Sequence, residues 1–409
     1  MKILHTADWH LGKKLGPFSR LPEQKAVLEE ICTLADRESV DVILIAGDLF
    51  DTVNPSIEAI ELFYLTLKKL AKDGQRAVIG IAGNHDSPDR IEAPDPLARA
   101  CGIILTGYPH SEVKPFEIEG GIKVLRSAPG FIELDLPNYS YPLRLISTPY
   151  ANEARLKQYL GNEEPEKQMR KVLTEHWQHL ASTFCDGEGV NMLMTHLFVS
   201  DGGDDIHEWE DEEEKSILTL GGADAIFTSD FPSDIQYAAL GHIHGRRFLQ
   251  QSPYPIAYSS SPLAYSINDP NLQKYVILIE AQPGKVATTQ SIELKSGKPT
   301  FQVTCHGIEE AKEWLLAHPH SYVELTLKTD RHLEAIDRKT LHHMHDGILR
   351  IIPSFTDPEL MKFTSGKEID LSKSMEELFK DFFRQKHKQE INQELTELFA
   401  EVLSEDTDI

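Results

Sequence analysis

Cysteine is scarce in this sequence of 409 residues. The four cysteines, Cys32, Cys101, Cys185 and Cys305, are scattered and form no close pair. Closely spaced cysteines are what a disulfide framework or a zinc knuckle needs, so both kinds of scaffold are excluded. The pattern predicts reduced thiols in a cytoplasmic protein.

Long hydrophobic runs are missing as well. No apolar stretch approaches the roughly 20 residues that a membrane-spanning helix needs. Residues 1–8 contain one lysine and a very short apolar run, which predicts a first strand and not a signal peptide. With 40% hydrophobic and 26% charged residues, we expect a globular chain of two or three domains with no membrane partner.

Positive charge is in short supply. The chain has 41 lysines and arginines against 65 aspartates and glutamates, which gives a net charge of −24. Proteins that bind nucleic acid over their whole surface are basic. Either nucleic acid is not the substrate, or binding is confined to a local site with bound cations, or a partner supplies the positive surface. Residues 201–214 hold nine acidic side chains and are predicted to form a solvated loop.

Polar clusters follow three predicted strands near the start of the chain. Asp8 and His10 follow the first strand, Asp48 follows the second, and residues 83–86 (Gly-Asn-His-Asp) follow the third. Helical patterns separate these strands, and the order strand–helix–strand–helix–strand predicts an α/β layer. In such sheets ligands collect beyond the carboxyl ends of the strands. Taken alone, each cluster is also compatible with an ordinary turn.

Histidines follow two later predicted strands. His196 comes after one of them, where a single histidine is usually structural. His242 and His244 stand at alternate positions between glycines, which suits two adjacent metals, although chance histidines in a surface loop are the alternative. Arg246 and Arg247 come next, and contact with phosphates or with solvent is equally compatible with their position.

The strand-end residues together predict a two-metal site. Seven side chains of mixed oxygen and nitrogen type suit two divalent ions that share one carboxylate, and the mixture favours Mn, Fe or Zn over Ca or Mg. Such a pair clamps the attacking and leaving oxygens of a phosphoryl displacement. His85 is then placed to protonate the leaving oxygen, and Asp86 or Asp51 to orient a neighbour. The seven predicted ligands are Asp8, His10, Asp48, Asn84, His196, His242 and His244.

The rest of the chain is predicted to form regular elements. These are helices over 21–38 and 56–72 (the second capped by Ser56), a second sheet over 103–146, a helical stretch over 151–182, and strands with a short helix near 309–317 over 285–360. Two amphipathic helices are predicted at the C-terminus. From the residues alone, packing on their own domain and binding a partner helix are equal alternatives.

The ordered motifs resemble those of a known superfamily. Asp-x-His-x-Gly, Gly-Asp-x-x-Asp, Gly-Asn-His-Asp, a later single His and Gly-His-x-His, in this order across residues 8–244, resemble the calcineurin-like metallophosphoesterases. Within that superfamily, residues 3–12, 46–51 and 239–244 look like the SbcD family, the nuclease subunits of bacterial SbcC–SbcD complexes. The resemblance extends more weakly through residues 258–276 and into the C-terminal helices.

The resemblance implies a fold and a division of the site. The fold is an α/β metallophosphoesterase fold with two facing β-sheets flanked by helices, in four αββα layers, followed by a small α+β capping domain and C-terminal helices. The implied boundaries are 1–280 for the nuclease domain, 285–362 for the capping domain and 370–405 for the helix pair. The implied metal sites share Asp48; one is completed by Asp8, His10 and His244, the other by Asn84, His196 and His242, with His85 as the acid.

The resemblance also implies an activity and partners. The family cuts DNA as a Mn-dependent 3′→5′ exonuclease on duplex ends and as an endonuclease on single strands and hairpins, in double-strand-break repair, recombination and replication. It works as a homodimer within a heterotetramer with the coiled-coil ATPase SbcC, whose coiled coil the C-terminal helices grip. A phosphatase acting on a small molecule or a protein, and a DNA-end scaffold with a dead site, are the alternatives.

Two positions depart from the family pattern. Residues 259–262 (Ser-Ser-Ser-Pro) stand where the family usually has Gly before Ser-Pro, and Ile267 stands where it usually has Phe. These departures affect details of DNA binding rather than the metal site.

Overall fold

The structure is a computed structural model. It describes residues 1–157, 165–202, 226–267, 273–330 and 333–355, together with 377–380, 383–384, 395–396 and 399. Most of the predicted acidic loop 201–214 and of the predicted C-terminal helices 370–405 lies outside the described residues. The strands are β1 Lys2–Thr6, β2 Lys14–Leu15, β3 Phe18–Ser19, β4 Val42–Ile45, β5 Ala77–Ile81, β6 Ile103–Thr106, β7 Lys123–Ala128, β8 Phe131–Asp135, β9 Leu143–Thr148, β10 Val190–His196, β11 Val199–Ser200, β12 Ile226–Phe227, β13 Tyr237–Gly241, β14 Arg247–Gln250, β15 Ile256–Tyr258, β16 Lys274–Glu280, β17 Thr288–Leu294, β18 Thr300–His306, β19 Tyr322–Thr329 and β20 Ile348–Phe355. The helices are α1 Leu21–Arg37, α2 Ile57–Ala71, α3 Pro88–Glu92, α4 Asp95–Ala100, α5 Glu153–Leu156, α6 Pro165–Phe184, α7 Ile308–Ala317 and α8 Ala335–Met344.

The first large sheet has the strand order β17-β16-β1-β4-β5-β6. Strands β1, β4, β5 and β6 run parallel, and β16 and β17 add an antiparallel edge. The prediction that the second sheet begins at residue 103 is wrong for β6, because Val78 of β5 pairs with Ile103 of β6. A four-residue apolar run carries no local information about which sheet it joins.

The second large sheet has the order β14-β15-β13-β10-β9-β8-β7. Its centre is parallel, since β10 pairs with β9 on one side and β13 on the other, and β13 pairs with β15. The flanking strands β7, β8 and β14 are antiparallel to their neighbours.

The core consists of three apolar clusters arranged as layers. Ile3, Leu44 and Ile79 of the first sheet are buried in one cluster with Leu145 and Met192 of the second sheet, so the sheets face each other. The opposite face of the first sheet packs on α1 and α2, and the opposite face of the second packs on α6. These layers confirm the predicted αββα fold, in which each sheet is covered by the other sheet on one face and by helices on the opposite face.

The helix predictions near the N-terminus are confirmed, and the later helical stretch consists of two helices in the described residues. Helix α2 begins after Ser56, whose Oγ accepts a hydrogen bond from the backbone N–H of Ala59 at 3.3 Å. The stretch predicted as helical over 151–182 contains α5 and most of α6. Helix α5 ends at Leu156, because the next residue, Lys157, has a left-handed φ of 53° that cannot continue an α-helix.

The chain divides into two compact units. The first contains residues 1–302 with 318–324 and 347–349, and the second contains 303–317, 325–346 and the described residues from 350 onward. Strands β18, β19 and β20 form a three-stranded sheet in that order. Helices α7 and α8 belong to the second unit, where Leu315 and Leu341 are buried. The boundaries at 280, 285, 362 and 370 stay predictions.

None of the described helices is both long enough and apolar enough to cross a membrane.

Candidate metal centre

The loops that follow the parallel strands meet at one edge of the fold. The backbone N–H of Asp8 donates to the carbonyl of Gly47 at 3.0 Å, and the N–H of His10 donates to that of Asp48 at 2.9 Å. In the second sheet β10 and β13 end side by side, with His196 opposite Gly241. The clusters that are far apart in the sequence therefore converge, as their positions beyond strand ends predicted.

Two glycines allow this close approach. A Cβ added to Gly83 would lie 2.0 Å from Asp48 Oδ1, and one added to Gly241 would lie 1.7 Å from the Ala46 carbonyl oxygen. Real Cβ atoms do not come so near to backbone or carboxylate atoms. Only glycine therefore lets the loop of residues 83–86 reach Asp48 and lets β13 reach the end of β4.

Four of the predicted ligands have strained backbone. Asp8, His10, Asp48 and His242 have φ angles of 54°, 44°, 48° and 103°. Non-glycine residues in this region cost about 1–3 kcal/mol each and persist only where their surroundings impose the conformation. Such strain concentrates at functional sites, so its occurrence at these four residues agrees with a binding centre.

The first ligand set consists of Asp8, His10 and His244, which are all buried. One ligand atom from each lies within 4.8 Å of the other two. Nε2 of His10 is 3.0 Å from Nε2 of His244. Two nitrogens that each lie about 2.1 Å from one ion, at right angles, are about 3 Å apart, so this spacing suits a shared cation.

The second ligand set is centred on Asn84. Its side-chain oxygen Oδ1 is 3.0 Å from Nε2 of His196 and 3.0 Å from Nδ1 of His242. The other ring nitrogen of His196, Nδ1, lies 2.8 Å from the Ala46 carbonyl oxygen and donates to it, because a carbonyl only accepts. When the ring is neutral, this bond places the lone pair on Nε2, which faces the centre as a metal ligand requires.

Asp48 lies between the two sets. Its Oδ2 is 3.4 Å from Nε2 of His10 and also 3.4 Å from Nε2 of His196. Its Oδ1 accepts the backbone N–H of His85 at 2.9 Å. One carboxylate oxygen is therefore held by the neighbouring loop while the other faces a histidine of each set.

Burial and the charges of neighbouring groups shift the pKa values of these side chains in different directions. Burial lowers the pKa of His10 and of His242 to about 3, so both rings are neutral at pH 7. Burial opposes a charge on His196 too, but the carboxylates of Asp48 and Asp8 outweigh it and raise its pKa to about 9. The pKa of Asp48 is well below its ordinary value: burial opposes the shift, but the histidines around it, His196 first, prevail.

The donor set fits two divalent ions. Carboxylate oxygen, amide oxygen and imidazole nitrogen together are typical of Mn, Fe and Zn sites. Nδ1 of His10 is buried without a hydrogen-bond partner among the described residues, although the Asp51 carboxylate approaches it to 3.7 Å. Asp51 and His85 form a third group with His10 that could hold an ion.

The three predicted catalytic residues, His85, Asp51 and Asp86, make different contacts. His85 is half-buried, and its Nδ1 donates to the backbone carbonyl of Asp51 at 2.9 Å. The carboxylate of Asp51 lies 3.2 Å from Nζ of Lys13 instead. Asp86 accepts backbone N–H groups of Gly83, Leu49 and Phe50 at 2.8–3.0 Å, so it supports the two loops. Burial, reinforced by Asp48, raises the pKa of Asp86 to about 7.

The two predicted substrate-binding arginines directly follow the loop that carries His242 and His244. The guanidinium of Arg246 is exposed and lies 4.3 Å from the ring centroid of Tyr275. Arg247 begins β14 and is half-buried. Their contact with substrate stays a prediction.

Sequence reasoning missed residues that support the site from outside. Arg155 donates to backbone carbonyls of the 83–86 loop. Gln24 donates to the carbonyl of His10 at 2.7 Å, and Nζ of Lys274 donates to that of His244 at 3.0 Å. These residues lie on elements whose local pattern indicates only a helix or a strand, so nothing in their spacing identified them.

Comparison with known proteins agrees with this geometry. Residues 1–245 match the family described as calcineurin-like phosphoesterase. A protein of Bacillus subtilis named as the D subunit of the nuclease SbcCD is 34% identical over 393 residues, which cover 94% of this chain and 93% of that protein. The chain belongs to the SbcD family of calcineurin-like phosphoesterases. The resemblance found in the sequence motifs is thereby confirmed.

Two further proteins of the same name match over 92% and 72% of this chain. The protein of the same name from Rhodobacter capsulatus is 28% identical and covers 92% of this chain and 93% of its own length. The one from Staphylococcus epidermidis is 28% identical and covers 72% of this chain and 70% of its own. Family membership therefore rests on nearly the whole chain and not on the motifs alone.

Proposed function

We propose that this chain is the nuclease subunit of an SbcC–SbcD-type complex and hydrolyses phosphodiester bonds of DNA with two divalent metal ions. The observation that carries the proposal is the position of Asp48 Oδ2, 3.4 Å from His10 of one ligand set and from His196 of the other. A carboxylate shared in this way suits two adjacent cations, the arrangement used for in-line displacement at phosphorus.

The proposed chemistry divides between the ions and the chain. When bound, the ions supply Lewis acidity and a deprotonated water as nucleophile. His85 supplies the proton for the leaving oxygen as the bond between phosphorus and that oxygen breaks. Its Nδ1 already donates to the Asp51 carbonyl, so Nε2 is the atom that gives up the proton. Asp86 holds the loop of His85 against the loop of Asp48, because its carboxylate accepts backbone N–H groups from both loops.

The proposed substrates are duplex DNA ends, cut from 3′ to 5′, and single strands or hairpins, cut internally. The preferred ion is Mn²⁺, with Fe or Zn as alternatives. A cavity of about 530 Å³ beside the centre supports local binding by an acidic chain, because Lys13 and Lys14 line it together with Asp51 and Tyr265. Arg246 and Arg247 are proposed to contact phosphates further along the strand.

The proposed partners are an SbcC-type coiled-coil ATPase and a second copy of this chain, in a cytoplasmic heterotetramer that serves double-strand-break repair, recombination and replication. Phe379 stacks on Phe399 with ring centroids 3.9 Å apart, which supports pairing of the two predicted C-terminal helices.

One assay separates the nuclease from its alternatives. The purified protein is mixed with Mn²⁺ and end-labelled duplex DNA, with and without an SbcC-type partner, and in parallel with a small phosphomonoester. We expect release of labelled nucleotides that EDTA abolishes. Turnover of the phosphomonoester alone would favour a phosphatase, and DNA binding without turnover of either would favour a scaffold.

A truncation tests the partner proposal separately. Deleting residues from 370 onward is expected to leave hydrolysis of a simple phosphodiester intact and to end co-elution with the SbcC-type partner. Co-elution of the truncated chain would contradict the assigned role of the C-terminal helices. Loss of simple hydrolysis as well would show that these residues serve the nuclease unit itself.

A further inference from the structure

The loop of residues 83–86 has almost no regular backbone bonding of its own. It carries the predicted ligand Asn84 and the predicted acid His85, yet within it only the N–H of Asp86 bonds to a loop carbonyl, that of Gly83, at 3.4 Å. Its N–H groups are held instead by carboxylates. Asp86 takes the N–H of Gly83, and Asp48 takes that of His85.

The carbonyl side of the same loop is held by Arg155. Nη1 donates to the carbonyl of Gly83 at 2.7 Å, and Nη2 donates to those of Asn84 and Asp86 at 3.3 and 2.8 Å. The preceding segment adds a fourth bond, since the N–H of Tyr150 donates to the Ala82 carbonyl at 2.9 Å. A planar guanidinium can serve several acceptors at fixed angles, which an ammonium group cannot.

Arg155 is itself held in place. Its guanidinium lies 5.1 Å from the ring centroid of Tyr150, and its backbone N–H donates to Asn152 Oδ1 at 2.9 Å, at the start of α5. The same Tyr150 ring lies 6.4 Å from the ring of His242, a member of the Asn84 ligand set. Arg155 therefore connects the segment that follows β9 of the second sheet with the loop that follows β5 of the first sheet.

We propose that Arg155 is a positioning residue that sets the cation affinity of the Asn84, His196 and His242 position and the placement of His85. The inference rests on the proposed two-metal site and deepens it. Without the guanidinium, three carbonyls lose their donor and the loop can relax. Asn84 Oδ1 then leaves the point at which it is 3.0 Å from both histidines. The Asp8, His10 and His244 position takes none of these three ligands from the loop and is connected to it only through the bond from His85 to Asp48, so it should be affected much less.

Mn²⁺ binding to metal-free protein, followed by calorimetry, tests the proposal in two backgrounds. In His244→Ala the Asn84 position is retained, and adding Arg155→Ala is expected to weaken Mn²⁺ binding about 10- to 100-fold, as loss of an outer partner of a metal ligand typically does. In Asn84→Ala the other position is retained, and adding Arg155→Ala should change its affinity by less than about twofold. Arg155→Lys should fall between wild type and Arg155→Ala in the first background.

Three outcomes would overturn the proposal. They are equal weakening in both backgrounds, no weakening in either, and a lowered melting temperature with unchanged Mn²⁺ affinity. If Arg155→Ala fails to fold, Arg155→Lys carries the same comparison. Because the readout is cation binding, a protein that binds Mn²⁺ as expected but cuts no DNA would contradict the proposed function and leave the role of Arg155 standing.

Discussion

The backbone N–H of His85 donates to Asp48 Oδ1 at 2.9 Å, so the loop that carries the predicted acid also orients the shared carboxylate. With Oδ1 engaged in this bond, Oδ2 is the atom that faces both ligand sets. A charge-assisted bond of this kind is stronger than a neutral one and restricts rotation of the carboxylate. The predicted acid and the predicted shared ligand are therefore connected by one hydrogen bond, and substitutions at each should separate their effects.

Replacing Asp48 should empty both cation positions. Asp48→Ala removes the oxygen that lies 3.4 Å from His10 and from His196, so the bound metal is expected to fall from two ions per chain to almost none. Elemental analysis after dialysis against Mn²⁺ measures this. His244→Ala is the matched control and should lose only the position that it serves. A count that stays at two in Asp48→Ala would contradict the shared ligand.

Replacing His85 should spare the metals and remove the proton donor. His85→Ala is expected to keep two ions per chain and to lower kcat about 10²- to 10⁴-fold, the usual contribution of a general acid. His179→Ala, an exposed histidine on α6, is the control and should cleave normally. Full cleavage by His85→Ala, with its metals intact, would remove His85 from the mechanism.

The close approach at Gly83 should not tolerate a methyl group. In Gly83→Ala the new Cβ would lie 2.0 Å from Asp48 Oδ1, so the loop must move away and Mn²⁺ affinity should fall at least about tenfold. Gly187→Ala is the control, because its Cβ meets nothing within 4 Å. Calorimetric titration compares the two. Wild-type affinity in Gly83→Ala would mean that the loop can shift without disturbing the ligands.

Ser260, one of the departures from the family pattern, has a φ of 98°, a conformation that favours glycine. Its Oγ also accepts the N–H of Tyr275 at 2.8 Å and donates to the Ser261 carbonyl at 3.0 Å. Ser260→Ala loses these hydrogen bonds but keeps the backbone strain. Ser260→Gly loses the hydrogen bonds and also relieves the strain. We expect the glycine variant to be more stable than the alanine variant by up to about 1 kcal/mol, because relief of the strain exceeds the added freedom of the unfolded chain together with the loss of one buried methyl group.

Urea unfolding of the two Ser260 variants, with wild type as reference, measures this difference in the free energy of unfolding. Comparing alanine with glycine cancels the lost Oγ hydrogen bonds and leaves the backbone terms and one buried methyl group, since Ser260 is fully buried. Equal midpoints, or a less stable glycine variant, would show that relief of backbone strain does not exceed the two costs of the glycine, the lost methyl group and the freer unfolded chain.

Much of the site could be predicted because its ligands directly follow strands. Asp8, Asp48 and Asn84 each come within a few residues of an apolar run, and parallel strands end at a common edge. Element types near the N-terminus could be predicted for the same local reason, as α1 and its apolar stripe illustrate. The sheet to which β6 belongs could not, because a short apolar run pairs equally well with several neighbours.

Residue types and their order along the chain were enough to determine the family, the four-layer fold and the candidate ligands, since these depend on local patterns and motif spacing. Only the tertiary structure decided that Asp48 Oδ2 faces both ligand sets, and that the guanidinium of Arg155 supports a loop 72 positions earlier in the chain. Both depend on which loops the two facing sheets bring together, and on distances of a few ångströms that no local propensity encodes.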